Sequence, residues 1–186
     1  MTTLEFLHRL LECERRVSAV YRTFGNCPTF ASELRAFWQQ MAEDERRHVF
    51  ILQRSTTVLD LRAADAQMSP DAFSAIEQQL ADAEMLLGQP NISGEEALRQ
   101  AVLLEGSELN RLSDDWFRSF PPALRALLTG LMPEDNVHLR HLLEAVHAFS
   151  VNKVLQEQAT ALWLQYQRAK ARAKAATDAR GAGKSQ

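Results

Sequence analysis

Glu45 and His48 stand three residues apart in the stretch MAEDERRHVF, residues 41 to 50. A carboxylate and an imidazole at that spacing share a helix face and could together hold a metal ion or move a proton. Alone, such a pair is as readily a solvated surface contact, so its meaning depends on which way the helix turns it. The large apolar residues of this segment, Leu34, Trp38, Met41 and Leu52, step by three and four and mark a core-facing stripe. Glu45 and His48 fall on the stripe, whereas Arg46 and Arg47 fall off it. The pair faces in.

Three further segments repeat the arrangement. Their stripes read Leu7, Leu11, Glu14, Ser18, Tyr21, with Glu12 off the stripe; Leu98, Ala101, Glu105, Glu108, Leu112; and Leu124, Leu128, Leu131, Asp135, His138, Leu142. Each places acid, or acid plus His, at the middle of an apolar face. Burying even one unpaired ion costs several kcal/mol, and no Lys or Arg occupies the middle of any stripe. A bound pair of cations would supply the missing positive charge; a hydrogen-bonded, partly protonated polar core is the alternative. One His per metal, several carboxylates and no thiolate suit iron, or manganese, better than structural zinc.

These residues need helices to position them, and helix punctuation is legible along most of the chain. Thr2 to Glu5 and Ser93 to Glu96 spell capping boxes. The first helix should close at Gly25-Asn26, the second run from about 30 to 62 and the third from Ser93 to about 113. The fourth should run from 121 to about 148, and a last one from about 151 to 175. A short helix opening at Ser69-Pro70 and ending at Gly88 falls inside a long connection, residues 63 to 92. Alternation never persists, so no strand is predicted. The expected fold is all-α, a four-helix bundle whose middle crossover spans its length.

Composition agrees: of 186 residues only seven are Gly and six Pro. A net charge of −3 gives no overall pull toward nucleic acid or an anionic membrane. No apolar run is long enough to span a bilayer, and Cys13 and Cys27 suggest no disulfide framework. The expected location is the cytoplasm. Residues 176–186 are basic, Ala-rich and poor in large apolar residues, and read as a disordered tail.

One Glu from each of two helices with Glu-x-x-His from two others is the di-iron pattern of ferritin-like bundles. Within that superfamily the chain resembles the rubrerythrins, over residues 4 to 148. ECERRVSAVY is similar to their first helix, with Glu14 seven residues before Tyr21; AEDERRH to their second, with Glu45 and His48; LLEGSE to their third, with Glu105 and Glu108. In the fourth, PEDNVH departs from the pattern by offering Asp135 and His138, just after Pro133. The alternative there is a helix start with Asp135 as a surface acid. The resemblance implies a ferritin-like domain over 1–150, a fifth helix over 151–175 that packs on the bundle or a second subunit, and a homodimer. It implies two iron ions held by Glu14, Glu45, His48, Glu105, Glu108, Asp135 and His138, with Tyr21 beside a ligand or simply filling the core. The implied activity is reduction of hydrogen peroxide, with dioxygen as the rival oxidant and a separate electron-transfer protein as donor. The rubredoxin domain of typical rubrerythrins has no counterpart in this chain. Iron oxidation and a non-catalytic helical module are the alternatives.

Overall fold

In a computed structural model, residues 2–58, 73–113 and 137–182 are described; every regular element among them is helical. The helices are α1 (Thr3–Gly25), α2 (Ser32–Val58), α3 (Ser74–Leu87), α4 (Gly94–Ser113), α5 (residues 137–149) and α6 (Lys153–Ala182). The expected all-α class holds. The predicted segments 59–72 and 114–136, including Pro133 and Asp135, lie outside the described residues.

Local chemistry sets the ends. Thr2 and Glu5 close a reciprocal capping box at the start of α1, and Asn26 donates its N–H back to Arg22 beyond the last turn (3.1 Å). The Ser93–Glu96 box opens α4, with Ser93 N–H donating to Glu96 (3.0 Å) and Glu96 N–H to Ser93 Oγ (3.2 Å). Asn152 caps α6 by accepting from the N–H groups of Val154 and Leu155. Predicted to stop near residue 175, α6 continues to Ala182. Residues 176–182, expected to be disordered, are helical, as a run this rich in Ala, the best helix former, allows.

Pairwise contacts give the helix directions. Arg9 pairs with Glu77, and Arg16 with Glu84. Both pairs join residues 68 apart, so α1 and α3 run parallel. Ser18 Oγ donates to Ala42 O, while the Tyr21 and Phe24 rings pack, tilted, against Trp38, so α1 and α2 are antiparallel. Leu34 sits against Gly94, and Glu45 and Glu105 meet one His138. Helices α2 and α4 are therefore parallel, and the chain between them must travel the length of the bundle. Its helical part, α3, lies along α1 and α4, burying Ile76, Leu80 and Ala83.

Two forces hold α3 in place, and their sizes differ. Burying a side chain such as Leu80 is worth several kcal/mol when cavity formation is included, whereas the part-exposed Arg–Glu pairs contribute about 0–1 kcal/mol each. Leu80→Ala should lower stability by about 2–5 kcal/mol and Arg16→Ala by less than about 1 kcal/mol, measured by denaturant unfolding. Equal losses would show that the ion pairs, not the apolar seam, fasten α3. Among the described residues no helix is long and apolar enough to cross a membrane.

Candidate metal centre

The predicted stripes do turn inward. Leu7, Tyr21, Trp38, Met41, Leu52, Leu98 and Ala101 are buried, and so are Glu14, Glu45, His48, Glu105 and His138. Glu12, Arg46 and Arg47 are exposed. Each acid sits at midlength of an amphipathic helix, so packing the apolar ends of the stripes carries the acids into the interior with them.

There they form two overlapping groups. Glu14, Glu45 and His48 are one; Glu45, Glu105 and His138 are the other; within each, one ligand atom per residue lies within 4.8 Å of the rest. Glu45 belongs to both and spans them with its two oxygens. Oε2 is 3.1 Å from His48 Nδ1, and Oε1 is 3.2 Å from His138 Nε2. His48 Nδ1 also lies 3.4 Å from Glu14 Oε2. His138 Nε2 lies 2.8 Å from Glu105 Oε1. The two imidazole rings are 5.9 Å apart. Helices α1, α2, α4 and α5 thus each bring at least one oxygen or nitrogen donor to one buried spot.

Two residues support this set. Tyr21, fully buried, donates its O–H to Glu105 Oε1 at 2.6 Å. That resolves the open question about Tyr21: it touches a cluster carboxylate. Asp44 was not singled out from the sequence, yet it is buried. Its Oδ1 accepts from Gln40 and Arg47. Its Oδ2 stands 4.0 Å from His138 Nδ1, the imidazole nitrogen turned away from Glu45 and Glu105. A carboxylate behind a histidine biases the tautomer and the ring orientation. The signal was present in the register, since Asp44 is three residues after Met41 and four before His48.

Glu108 lies in α4, but its side chain is outside the described residues, as is all of Asp135. His8 and His147 are exposed and His141 is half-buried.

Electrostatics at the spot are strongly biased toward cations. Burial pushes the Glu45 carboxyl well above the usual carboxylate range; His48 pulls it down, while Glu14 and Glu105 raise it further. Burial works against a charged His48, but the Glu45 and Glu14 carboxylates outweigh it and hold that imidazole well above its ordinary value. Glu45 Oε1, although close to His138, makes no aligned hydrogen bond among the described residues, and neither does Asp44 Oδ2. A metal cation held at these groups must displace those protons. The two groups share Glu45, and each could hold a metal ion.

No family model matches the chain. No curated protein matches it in sequence. No solved structure matches its fold.

Metal binding here should release protons and tighten as pH rises, because Glu45 and His48 both bind protons more strongly than their free counterparts. Calorimetric titration with ferrous ion in buffers of different ionisation enthalpy measures the release directly; a heat independent of buffer would contradict it. Asp44→Asn should weaken metal binding by about 10–100-fold while leaving the fold intact, read by competition with a chromogenic chelator. Unchanged affinity would mean that Asp44 serves only Arg47 and Gln40.

Proposed function

We propose that this chain is a rubrerythrin-like di-iron oxidoreductase on a ferritin-like bundle, and that it reduces hydrogen peroxide with electrons from a separate donor. One observation carries the reading: Glu45 faces His48 with one oxygen and His138 with the other, the disposition a carboxylate takes when it bridges two metals. Parallel α2 and α4 joined through a lengthwise crossover, with α1 antiparallel to α2, are what a ferritin-like bundle requires, and they support the same reading.

Glu14 with His48 would hold one ion, and Glu105 with His138 the other, around the shared Glu45. When bound, the ion pair supplies the two electrons that cleave an O–O bond. The protein residues do the rest. Their three carboxylates would offset three of the four positive charges of two divalent ions, and burial excludes bulk water from reactive oxygen species. Tyr21 holds a proton 2.6 Å from Glu105 Oε1, within reach of a group from which oxygen atoms leaving as water can draw one. Asp44 places a carboxylate oxygen 4.0 Å from His138 Nδ1, on the side of the ring away from the centre.

Anaerobic protein loaded with ferrous ion should be oxidised by one equivalent of peroxide much faster than by dioxygen, followed by stopped-flow absorbance. Tyr21→Phe should slow that step by about 10²–10⁴-fold if its proton is used, with metal content unchanged. Equal rates with the two oxidants, accompanied by uptake of further iron, would instead make the protein an iron oxidase.

A further inference from the structure

Asp44 is 5% exposed, and its two oxygens have different neighbours. Oδ1 accepts from Gln40 Nε2 at 2.8 Å and from Arg47 Nη1 at 3.0 Å, and the Arg47 side chain is half exposed. Oδ2 makes no hydrogen bond among the described residues, although it lies 4.0 Å from His138 Nδ1. A buried carboxylate oxygen so placed favours a cation beside it. The next residue repeats the pattern. Glu45 Oε1 is buried, makes no aligned hydrogen bond among the described residues, and lies 3.2 Å from His138 Nε2. Consecutive carboxylates of α2 therefore flank the two nitrogens of one imidazole, Asp44 on the side of Arg47 and Glu45 on the side of the centre.

The separation at Asp44 says what fits there. Four ångströms is too long for a hydrogen bond, but it matches two bonds of about 2.0–2.2 Å from a small divalent ion to oxygen and to nitrogen. Two protein donors leave most of the ion's coordination to water, and the Arg47 guanidinium on the same carboxylate opposes a second cation. An ion there is held weakly. A neutral imidazole has one lone pair to give, because its other nitrogen carries the proton. His138 can therefore bind an ion through Nδ1 or through Nε2 but not through both, so filling the inner position empties the outer one. These are the properties of a point of passage, not of storage.

We propose that divalent metal ions enter the centre past Arg47 and over Asp44. The ion first lodges between Asp44 Oδ2 and His138 Nδ1, then passes along the edge of the ring to Glu45 Oε1 and His138 Nε2. The imidazole proton ends on Nδ1, facing Asp44. Arg47 guards the step, since an arriving ion competes with it for Asp44. The route rests on the two buried carboxylate–histidine groups and not on peroxide reduction.

The test follows uptake of cobalt(II), whose visible absorbance reports its ligands, by the metal-free full chain in a stopped flow, and its removal by excess chelator. A guard on the path changes entry and exit by the same factor, whereas a group that only orients His138 acts chiefly on exit. Arg47→Ala should speed entry and exit by about threefold, with affinity changed less than either rate, and Arg47→Lys should stay close to wild type. Asp44→Asn should place about tenfold of its loss of affinity in slower entry. Wild-type entry in Asp44→Asn, with only exit accelerated, overturns the proposal and leaves Asp44 a positioning residue. So do unchanged rates in Arg47→Ala, the half-exposed variant that decides the matter where Asp44→Asn fails to fold. Altered uptake rates in a protein whose ferrous form is indifferent to peroxide would defeat the peroxide reading alone. Fast oxidation by peroxide, with uptake untouched by either substitution, would defeat the entry route alone.

Discussion

Carboxylates and imidazoles buried together at one spot are the constraint around which the molecule is organised. The partners that the described residues offer Glu45 and Glu105 are imidazoles and a phenol, and His48 is shared between Glu45 and Glu14. Removing such groups from water costs several kcal/mol per ion unless something repays it. Protons can do so in part, which is why Glu45 and His48 hold theirs so firmly. Divalent ions can do so fully. The apolar parts of the helices have to be stable enough to carry this middle, and Leu7, Trp38, Tyr21, Phe24, Leu52 and Leu98 are fully buried there.

The same constraint explains the architecture around the centre. Helices α1, α2, α4 and α5 bring their donors to one spot, and the lengthwise connection carrying α3 makes α2 and α4 parallel. Helix α3 donates nothing to the cluster. Its work is to cover the groove of α1 and α4, the two helices that bring Glu14, Tyr21 and Glu105. Helix α6 covers α4 from elsewhere, through Leu162 at Gly106. The covering helices keep water from a spot whose electrostatics depend on dryness.

Much of this was legible in the chain itself. Stripes stepping by three and four are a local property, so the inward direction of Glu14, Glu45, His48, Glu105 and His138 followed from neighbours on the same helix. Capping boxes at Thr2 and Ser93 are equally local. What spacing alone does not encode is which helix lies beside which. The parallel seam of α1 and α3 depends on Arg9 meeting Glu77 and Arg16 meeting Glu84, pairs that nothing nearby in sequence announces. Asp44 was passed over because a single stripe was drawn through Glu45, although a helix face is wide enough for both. The helix of α6 outlasts its large apolar residues, because Ala and Arg keep the helical propensity high without them.

The shared position of Glu45 is the claim on which the metal reading stands or falls. Anomalous diffraction at the iron edge, from crystals grown with ferrous ion, tests it most directly. Two peaks about 3.5–4 Å apart, one beside Glu14 and His48, the other beside Glu105 and His138, with a Glu45 oxygen on each, are the expected result. A single peak away from Glu45, or none at full ferrous saturation, would contradict it.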